Sequence, residues 1–280
     1  MLHRKNFISS SSSLALIPFL GQSEEKTDFK VGICDWNAKG KGLPEVFKTV
    51  KELGLDGVQL SYEPRHPTYD LREKKQQTHF LSEAKKHQIE IASMAMGIFN
   101  KYPFSSFDDA PQWADECLDI MLAMNQKLVL FAFFGKGDIK DKPELQKNVI
   151  SRLKALMPKA EKYGLTIGLE TWLNQEDHMH ILDSVGSNNV KVYYDTANME
   201  KQGYNIYEEI RWLGKKNAIC QVHTKEVGNR LGEGKVNFPK VKEALADIDY
   251  KDWLIIESAV KGDWRESHIA NGQYLRKLFN

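Results

Sequence analysis

The chain lacks several features that would each assign a protein to a class. Its three cysteines, Cys34, Cys117 and Cys220, are far apart and odd in number, which argues against a disulfide framework. It has no run of about 18 apolar residues, so we expect no transmembrane helix. Its net charge of +1 gives no overall attraction to nucleic acid or to an anionic membrane. These shortages argue against a disulfide-rich scaffold, a membrane-spanning protein and a strongly basic nucleic-acid binder.

A glycine-rich phosphate loop is also missing. Gly40 and Gly42 begin a G-x-G-x-x-G pattern, but Glu45 stands where its third glycine belongs. Such a loop is typical after the first strand of a doubly wound open sheet. The sequence therefore gives this fold little support, and we keep it as the alternative architecture.

Buried-strand runs alternate with amphipathic helical runs from Phe29 onward. With 280 residues, 41% of them hydrophobic, the chain can bury a sizeable core. Near-continuous apolar runs are typical of parallel strands that are covered on both faces. Candidate strands cover residues 29–36, 57–62, 89–96, 127–134, 165–171, 190–196, 218–225 and 252–259. Eight strand–helix units without a composition shift predict an α/β fold, a single (β/α)8 TIM barrel over residues 28–280.

The first 27 residues differ from the rest of the chain. Arg4 and Lys5 precede a serine run and a short apolar stretch, residues 14–20, and no acidic residue appears before Glu24. This is the layout of an export signal, and the Arg-Lys pair resembles a degenerate twin-arginine signal. We expect residues 1–27 to lie outside the fold and the protein to be periplasmic or extracellular. A disordered leader on a cytoplasmic protein is the alternative.

Four of the later strand runs end in a residue type that binds metals. Glu170, Asp195, His223 and Glu257 follow one another at intervals of 25, 28 and 34 positions. A strand–helix unit of a (β/α)8 barrel takes roughly 30 residues, so this spacing returns each residue to the same rim. Three carboxylates and an imidazole at one point need a compensating cation. Oxygen and nitrogen ligands without a thiolate suit one divalent ion, with Mn²⁺ expected first and Mg²⁺, Co²⁺ or Zn²⁺ as alternatives.

The chain resembles the xylose isomerase-like barrels, which include sugar isomerases, ketose 3-epimerases, inosose dehydratases and endonuclease IV. The resemblance is carried by Gly-Leu-Glu170, Asp195-Thr-Ala-Asn198, Val-His223-Thr-Lys225, the segment 230–238 and Glu257. It implies that Glu170 and Glu257 both ligate the metal and exchange a substrate proton, and that Asp195 and His223 complete the ligand set. The implied activity is a sugar isomerase or epimerase that acts through an enediolate.

The same resemblance suggests four substrate-binding residues. Glu176 lies six positions after Glu170, as a substrate-contacting glutamate does in the epimerases. Arg230 can clamp substrate oxygens with two parallel hydrogen bonds, and Lys225 can neutralise the carboxylates. Asn198 stands where epimerases commonly carry a histidine. For each of them a solvated or structural role is the competing interpretation.

Two further readings of the same parts stay open. A lyase or dehydratase acting on a keto-inositol or a 3-keto-glycoside also begins by removing a proton next to a carbonyl. A sugar-binding barrel without turnover is the non-enzymatic alternative. Endonuclease activity is disfavoured because the chain has no basic stripe, and we expect a small carbohydrate partner and no nucleic acid. The sequence leaves the oligomeric state open, including a homo-oligomer.

Overall fold

The structure is a computed structural model that describes residues 29–280. The predicted leader, residues 1–27, lies outside the described residues, so its role as an export signal stays a prediction.

Eight parallel strands form a closed barrel in chain order. They are β1 (Val31–Cys34), β2 (Gly57–Ser61), β3 (Glu90–Met96), β4 (Leu128–Ala132), β5 (Thr166–Glu170), β6 (Val190–Asp195), β7 (Ile219–Thr224) and β8 (Leu254–Ile256). The barrel closes because β1 pairs with β8 as well as with β2. The prediction of a single (β/α)8 barrel is confirmed, with strands up to three residues shorter at an end, and the open-sheet alternative is wrong.

Helices connect the strands and cover the outside of the barrel. They are α1 (Val46–Glu52), α2 (Lys74–His87), α3 (Ala110–Ala123), α4 (Pro143–Tyr163), α5 (Gln175–Val185), α6 (Thr196–Lys201), α7 (Ile206–Lys215), α8 (Phe238–Ala246) and α9 (Trp264–Phe279). The longest, α4, starts at a proline, whose missing N–H costs nothing in the first turn. It ends before Gly164, which has a φ of +60°. None of the helices within residues 29–280 is both long and apolar enough to span a bilayer.

The interior of the barrel contains a polar layer below the rim where the strands end. Gln59, Ser93, Tyr193 and Gln221 are buried there and bond to one another. A side chain at Gly168 would crowd the neighbouring strands, because a Cβ atom there would lie 2.7 Å from Cys220 Sγ and 3.1 Å from the Tyr193 Cβ atom. The layer supports the residues above it, while the main apolar core lies between strands and helices.

Candidate metal centre

The four metal-type residues predicted from the sequence meet at the carboxyl rim of the barrel. Glu170 and Asp195 are the last residues of β5 and β6, His223 is the penultimate residue of β7, and Glu257 directly follows β8. One ligand atom from each lies within 4.8 Å of all the others. Parallel strands of one barrel end on one rim, which is why residues so far apart in the chain converge.

His223 lies at the centre of the cluster and is fully buried. Its Nδ1 atom is 3.2 Å from Glu170 Oε1, 3.4 Å from Glu257 Oε2 and 3.8 Å from Asp195 Oδ2. Its other ring nitrogen, Nε2, is 2.9 Å from Gln59 Oε1. One nitrogen therefore faces three carboxylates, and the other faces the polar layer of the barrel.

The two carboxylate oxygens of Asp195 have different roles: one caps a helix, and the other belongs to the cluster. Oδ1 accepts a 2.6 Å hydrogen bond from the backbone N–H of Asn198 and caps the N-terminus of α6. Oδ2 is buried, has no hydrogen-bond partner among the described residues and lies 3.3 Å from the Lys225 ammonium. The cap fixes the direction of the second oxygen, which points into the cluster.

Glu257 is held through both of its oxygens. The ammonium of Lys225 donates to Oε2 at 2.7 Å, and the indole N–H of Trp36 donates to Oε1 at 3.2 Å. Glu170 has a different partner, because the side-chain amide of Asn198 donates to its Oε1 at 3.2 Å. The two glutamates thus occupy unequal environments on opposite sides of His223 in the strand order.

The charges of the cluster are strongly coupled. Burial, followed by the repulsion of Glu257 and Glu170, raises the pKa of Asp195 well above its usual range, against the attraction of Lys225. Burial also acts to raise the pKa of Glu257, but His223 and Lys225 outweigh it and lower that pKa. Burial alone would lower the pKa of Lys225, but Asp195 and Glu257 raise it, so the lysine stays charged.

These residues fit a divalent cation. Three carboxylates and an imidazole nitrogen are hard and borderline donors that suit Mn²⁺, Mg²⁺, Co²⁺ or Zn²⁺. Within residues 29–280, Lys225 is the single lysine or arginine paired with the carboxylates of the cluster, and it compensates only part of their charge. Apart from its ion pair with Lys225, the buried Oδ2 atom of Asp195 has no hydrogen-bond donor in the described part of the chain, so it is an acceptor that a cation would satisfy.

The structure separates the four predicted substrate-binding residues into two pairs. Asn198 and Lys225 contact the cluster directly. Glu176 is exposed in the first turn of α5, where it accepts a bond from Gln175, and Arg230 donates through Nε to Ser267 of α9. Neither Glu176 nor Arg230 forms an ion pair with the cluster among the described residues.

Two residues at the site lie outside the predicted ligands and substrate-binding residues. Trp36 holds Glu257, and Gln59 holds His223. Gln59 carries a usable signal, because a polar residue between Val58 and Leu60 in a fully buried strand must find a partner inside the barrel.

Glu226 shapes the loop after β7. It is buried and accepts backbone N–H bonds from Lys235 at 3.2 Å and Val236 at 2.9 Å. These bonds close the segment that carries Arg230. No motif in the sequence distinguishes this glutamate from a solvated one.

Comparison with known proteins assigns the barrel. The model of a family described as xylose isomerase-like TIM barrel matches residues 47–278. The chain belongs to this family.

Similar sequences in the family include sugar epimerases. A D-psicose 3-epimerase from Enterocloster bolteae is 29% identical over 131 residues, which are 43% of this chain and 42% of that protein. A D-psicose 3-epimerase from Agrobacterium fabrum is 30% identical over 111 residues, which are 36% of this chain and 38% of that protein. The matched regions thus span less than half the length of these relatives.

Solved structures match over nearly the whole described chain. The D-psicose 3-epimerase of Clostridium cellulolyticum superposes with a TM-score of 0.76 at 19% identity, over 90% of this chain and all of that one. A 3-keto-D-glucoside 4-epimerase from E. coli superposes with a TM-score of 0.71 at 15% identity, over 89% of this chain and 99% of that one. At these identities the likeness establishes the shared fold.

Proposed function

We propose that this protein is a divalent-metal-dependent sugar isomerase or epimerase that removes a proton next to a carbonyl group. The observation that carries the proposal is the pair Glu170 and Glu257, which flank one nitrogen of His223 within a cluster of four metal-type ligands. The names of the similar proteins, D-psicose 3-epimerase and 3-keto-D-glucoside 4-epimerase, support the same class of reaction and a sugar substrate.

The residues that would hold the metal are Glu170, Asp195, His223 and Glu257, with Mn²⁺ as the ion we expect. When bound, a divalent cation supplies Lewis-acid stabilisation of the negative charge that develops on the carbonyl oxygen of the sugar. Each glutamate has two oxygens, so one oxygen can serve as a ligand while the other faces the sugar.

The two glutamates supply the proton transfers. One carboxylate takes the proton from the carbon next to the carbonyl. The electron pair of the broken C–H bond forms the C=C bond of an enediolate, and the π pair of the C=O bond moves onto its oxygen. The other glutamate, protonated, returns a proton to the same carbon from the opposite face and inverts it, which is epimerisation. Return to the adjacent carbon gives an aldose–ketose isomerisation.

The neighbours of the glutamates would keep them in position during these transfers. The Trp36 and Lys225 bonds orient Glu257, and the Asn198 bond orients Glu170. The Glu257 side chain is 16% exposed and that of Glu170 is 4% exposed, so we assign to Glu257 the readier access to a substrate from solvent.

A lyase that acts on a 3-keto-glycoside is the second candidate. Its specific support is the similarity to a 3-keto-D-glucoside 4-epimerase, whose substrate carries a leaving group in addition to the ketone. Such a lyase starts with the same proton removal and then expels the group on the next carbon.

Incubation in D₂O distinguishes the candidates. The protein is mixed with free ketoses and 3-keto-glucosides in the presence of Mn²⁺, and NMR spectra are recorded after the metal is removed. Deuterium at one carbon of an intact sugar supports the isomerase or epimerase, and release of the aglycone supports the lyase.

Variants link the activity to the cluster. We expect Glu170→Gln and Glu257→Gln each to lower the exchange rate about 10²- to 10⁴-fold, the usual contribution of a general acid or base. Glu161→Gln, on the exposed side of α4, is the matched control and should keep the wild-type rate. Exchange that survives both cluster variants, or that is indifferent to chelators, would refute the proposal.

A further inference from the structure

A chain of buried polar side chains runs through the barrel below the cluster. At its lower end, the Nε2 atom of Gln221 lies 3.1 Å from Asp252 Oδ1 and 3.5 Å from the backbone oxygen of Ala92. Both of these oxygens are acceptors, so the amide N–H₂ of Gln221 must face them. Its Oε1 atom then faces the hydroxyl groups of Ser93 and Tyr193, at 2.7 and 2.8 Å, and receives the proton of each.

The two hydroxyl groups determine the orientation of the next amide in the chain, that of Gln59. Since Ser93 and Tyr193 donate their protons to Gln221, each presents a lone pair to Gln59. The Nε2 atom of Gln59 donates to Ser93 at 3.0 Å and to Tyr193 at 2.8 Å. The Gln59 oxygen therefore faces upward, where the Cys34 thiol lies at 3.4 Å and His223 Nε2 at 2.9 Å.

We infer that Gln59 is a positioning residue of the metal centre: its side-chain oxygen holds a proton on Nε2 of His223 and leaves Nδ1 as the ligand atom. The opposite orientation of the amides would place Gln221 Oε1 against two acceptor oxygens at the lower end of the chain. The proton position on His223 is thus determined by groups at the far end of the barrel, Asp252 and Ala92.

This arrangement suits cation binding because of what surrounds Nδ1. Once a cation takes the place of a proton on Nδ1, the lone pair of this nitrogen faces the same space as the oxygens of Glu170, Glu257 and Asp195, between 3.2 and 3.8 Å away. Four electron-rich atoms at one point favour a cation between them. A histidine ligand whose other nitrogen donates to a fixed oxygen is held in one ring orientation, and loss of such a partner typically costs about 10- to 100-fold in metal affinity.

The proton position is measurable on the full chain without any turnover. In ¹⁵N-labelled, metal-free protein, a long-range ¹H–¹⁵N spectrum reports which ring nitrogen carries hydrogen, and the His223 signals are identified by their loss in His223→Asn. We expect a slowly exchanging proton on Nε2, retained when Zn²⁺ is added. A bare Nε2 in the wild-type protein would overturn the inference, and this result needs no variant to fold.

Variants of the two glutamines separate positioning from packing. Gln59→Leu should lose the Nε2 proton signal of the metal-free protein and bind Mn²⁺ about 10- to 100-fold more weakly in calorimetry. Gln59→Glu keeps an acceptor oxygen and should keep the signal. Gln221→Leu makes the same change of side chain in the same buried layer without touching His223. It removes the acceptor that directs the two hydroxyl groups but leaves the Gln59 oxygen in place, so it should weaken the signal and the affinity less than Gln59→Leu does. Equal losses in the two leucine variants would overturn the inference.

The inference rests on the proposed metal site, but the two can fail separately. A Gln59-dependent proton on Nε2 in protein that takes up no Mn²⁺ would refute the proposed function and leave the hydrogen-bond assignment standing. Mn²⁺-dependent exchange in protein with a bare Nε2 would do the reverse.

Discussion

Replacing Lys225 by methionine should weaken the metal-free fold and strengthen metal binding. The ammonium of Lys225 lies 2.7 Å from Glu257 Oε2 and 3.3 Å from Asp195 Oδ2, among side chains that are 1 to 19% exposed. A metal bound by the same carboxylates has to share them with this ammonium. Lys225→Met keeps the apolar stem and removes only the charge that competes with the metal.

The magnitude follows from the burial of the ion pairs. Removal of one partner of a buried ion pair costs about 3–5 kcal/mol, because the other partner is left uncompensated. Since Lys225 is partly exposed, we expect the lower end, about 3 kcal/mol of unfolding free energy in the metal-free protein. If a bound dication reduces this cost to about 1 kcal/mol, the difference of about 2 kcal/mol corresponds to roughly 30-fold tighter metal binding.

Denaturant unfolding with EDTA or with excess Mn²⁺ measures the stability cost of the variant without and with the metal. Calorimetric titration of Mn²⁺ measures the change in metal affinity. Lys225→Arg keeps the charge and should stay close to the wild type in metal affinity. Lys48→Met, which removes an exposed lysine 3.8 Å from Glu52, is the surface control and should change stability by less than about 0.5 kcal/mol. Equal destabilisation with and without Mn²⁺ and an unchanged affinity would refute the reasoning.

The pH dependence of this variant gives a second check. Burial raises the pKa of Asp195 well above its usual range, so this carboxyl can take up a proton when its charge is not compensated. The cost of Lys225→Met in metal-free protein should therefore shrink as the pH is lowered. A cost that grows toward acid pH would contradict the assignment of the lysine as the counter-charge.

Three more predictions test other parts of the structure. Burial raises the pKa of Glu209 from 4.5 to about 7, so the folded state binds the extra proton and wild-type stability falls as the pH rises through this window. Urea titrations should therefore show that the unfolding free energy of Glu209→Gln rises relative to that of the wild type as the pH is raised from 5 to 8. Gly234→Ala places a Cβ atom against the Glu226 carboxylate. It should lower the free energy of unfolding by about 1–3 kcal/mol without changing Mn²⁺ affinity. Trp36→Phe removes the N–H donor to Glu257 and should slow deuterium exchange more than it weakens Mn²⁺ binding; equal effects on both would contradict an orienting role.

The eight-unit barrel could be predicted because its causes are local or periodic. Near-continuous apolar runs specify strands that are covered on both faces, and Pro143 and Gly164 mark the ends of α4 by their own backbone preferences. The strand ends could not be predicted to the residue. In β8 the predicted range 252–259 shrinks to Leu254–Ile256, the three residues that pair with both neighbouring strands.

The convergence of the four metal-type residues was also accessible from the chain, because regular strand–helix spacing returns each of them to one rim. The side chains that contact these four residues depend on tertiary structure. Arg230 and Glu176 stand at spacings that suggest a substrate contact, and this stays a prediction. The fold places Arg230 beside Ser267 and leaves Glu176 exposed on α5.

Amino-acid order by itself determined the barrel, its closure into eight units and the rim on which Glu170, Asp195, His223 and Glu257 meet. Only the folded chain decided between the two interpretations of Lys225, by placing its ammonium among the carboxylates, and only the folded chain placed Gln59 under His223. The physical reason is the range of the interactions. Backbone preference and hydrophobic periodicity act over a few residues, whereas these contacts join side chains that are 32 to 164 positions apart and depend on barrel register and on hydrogen bonds formed inside it.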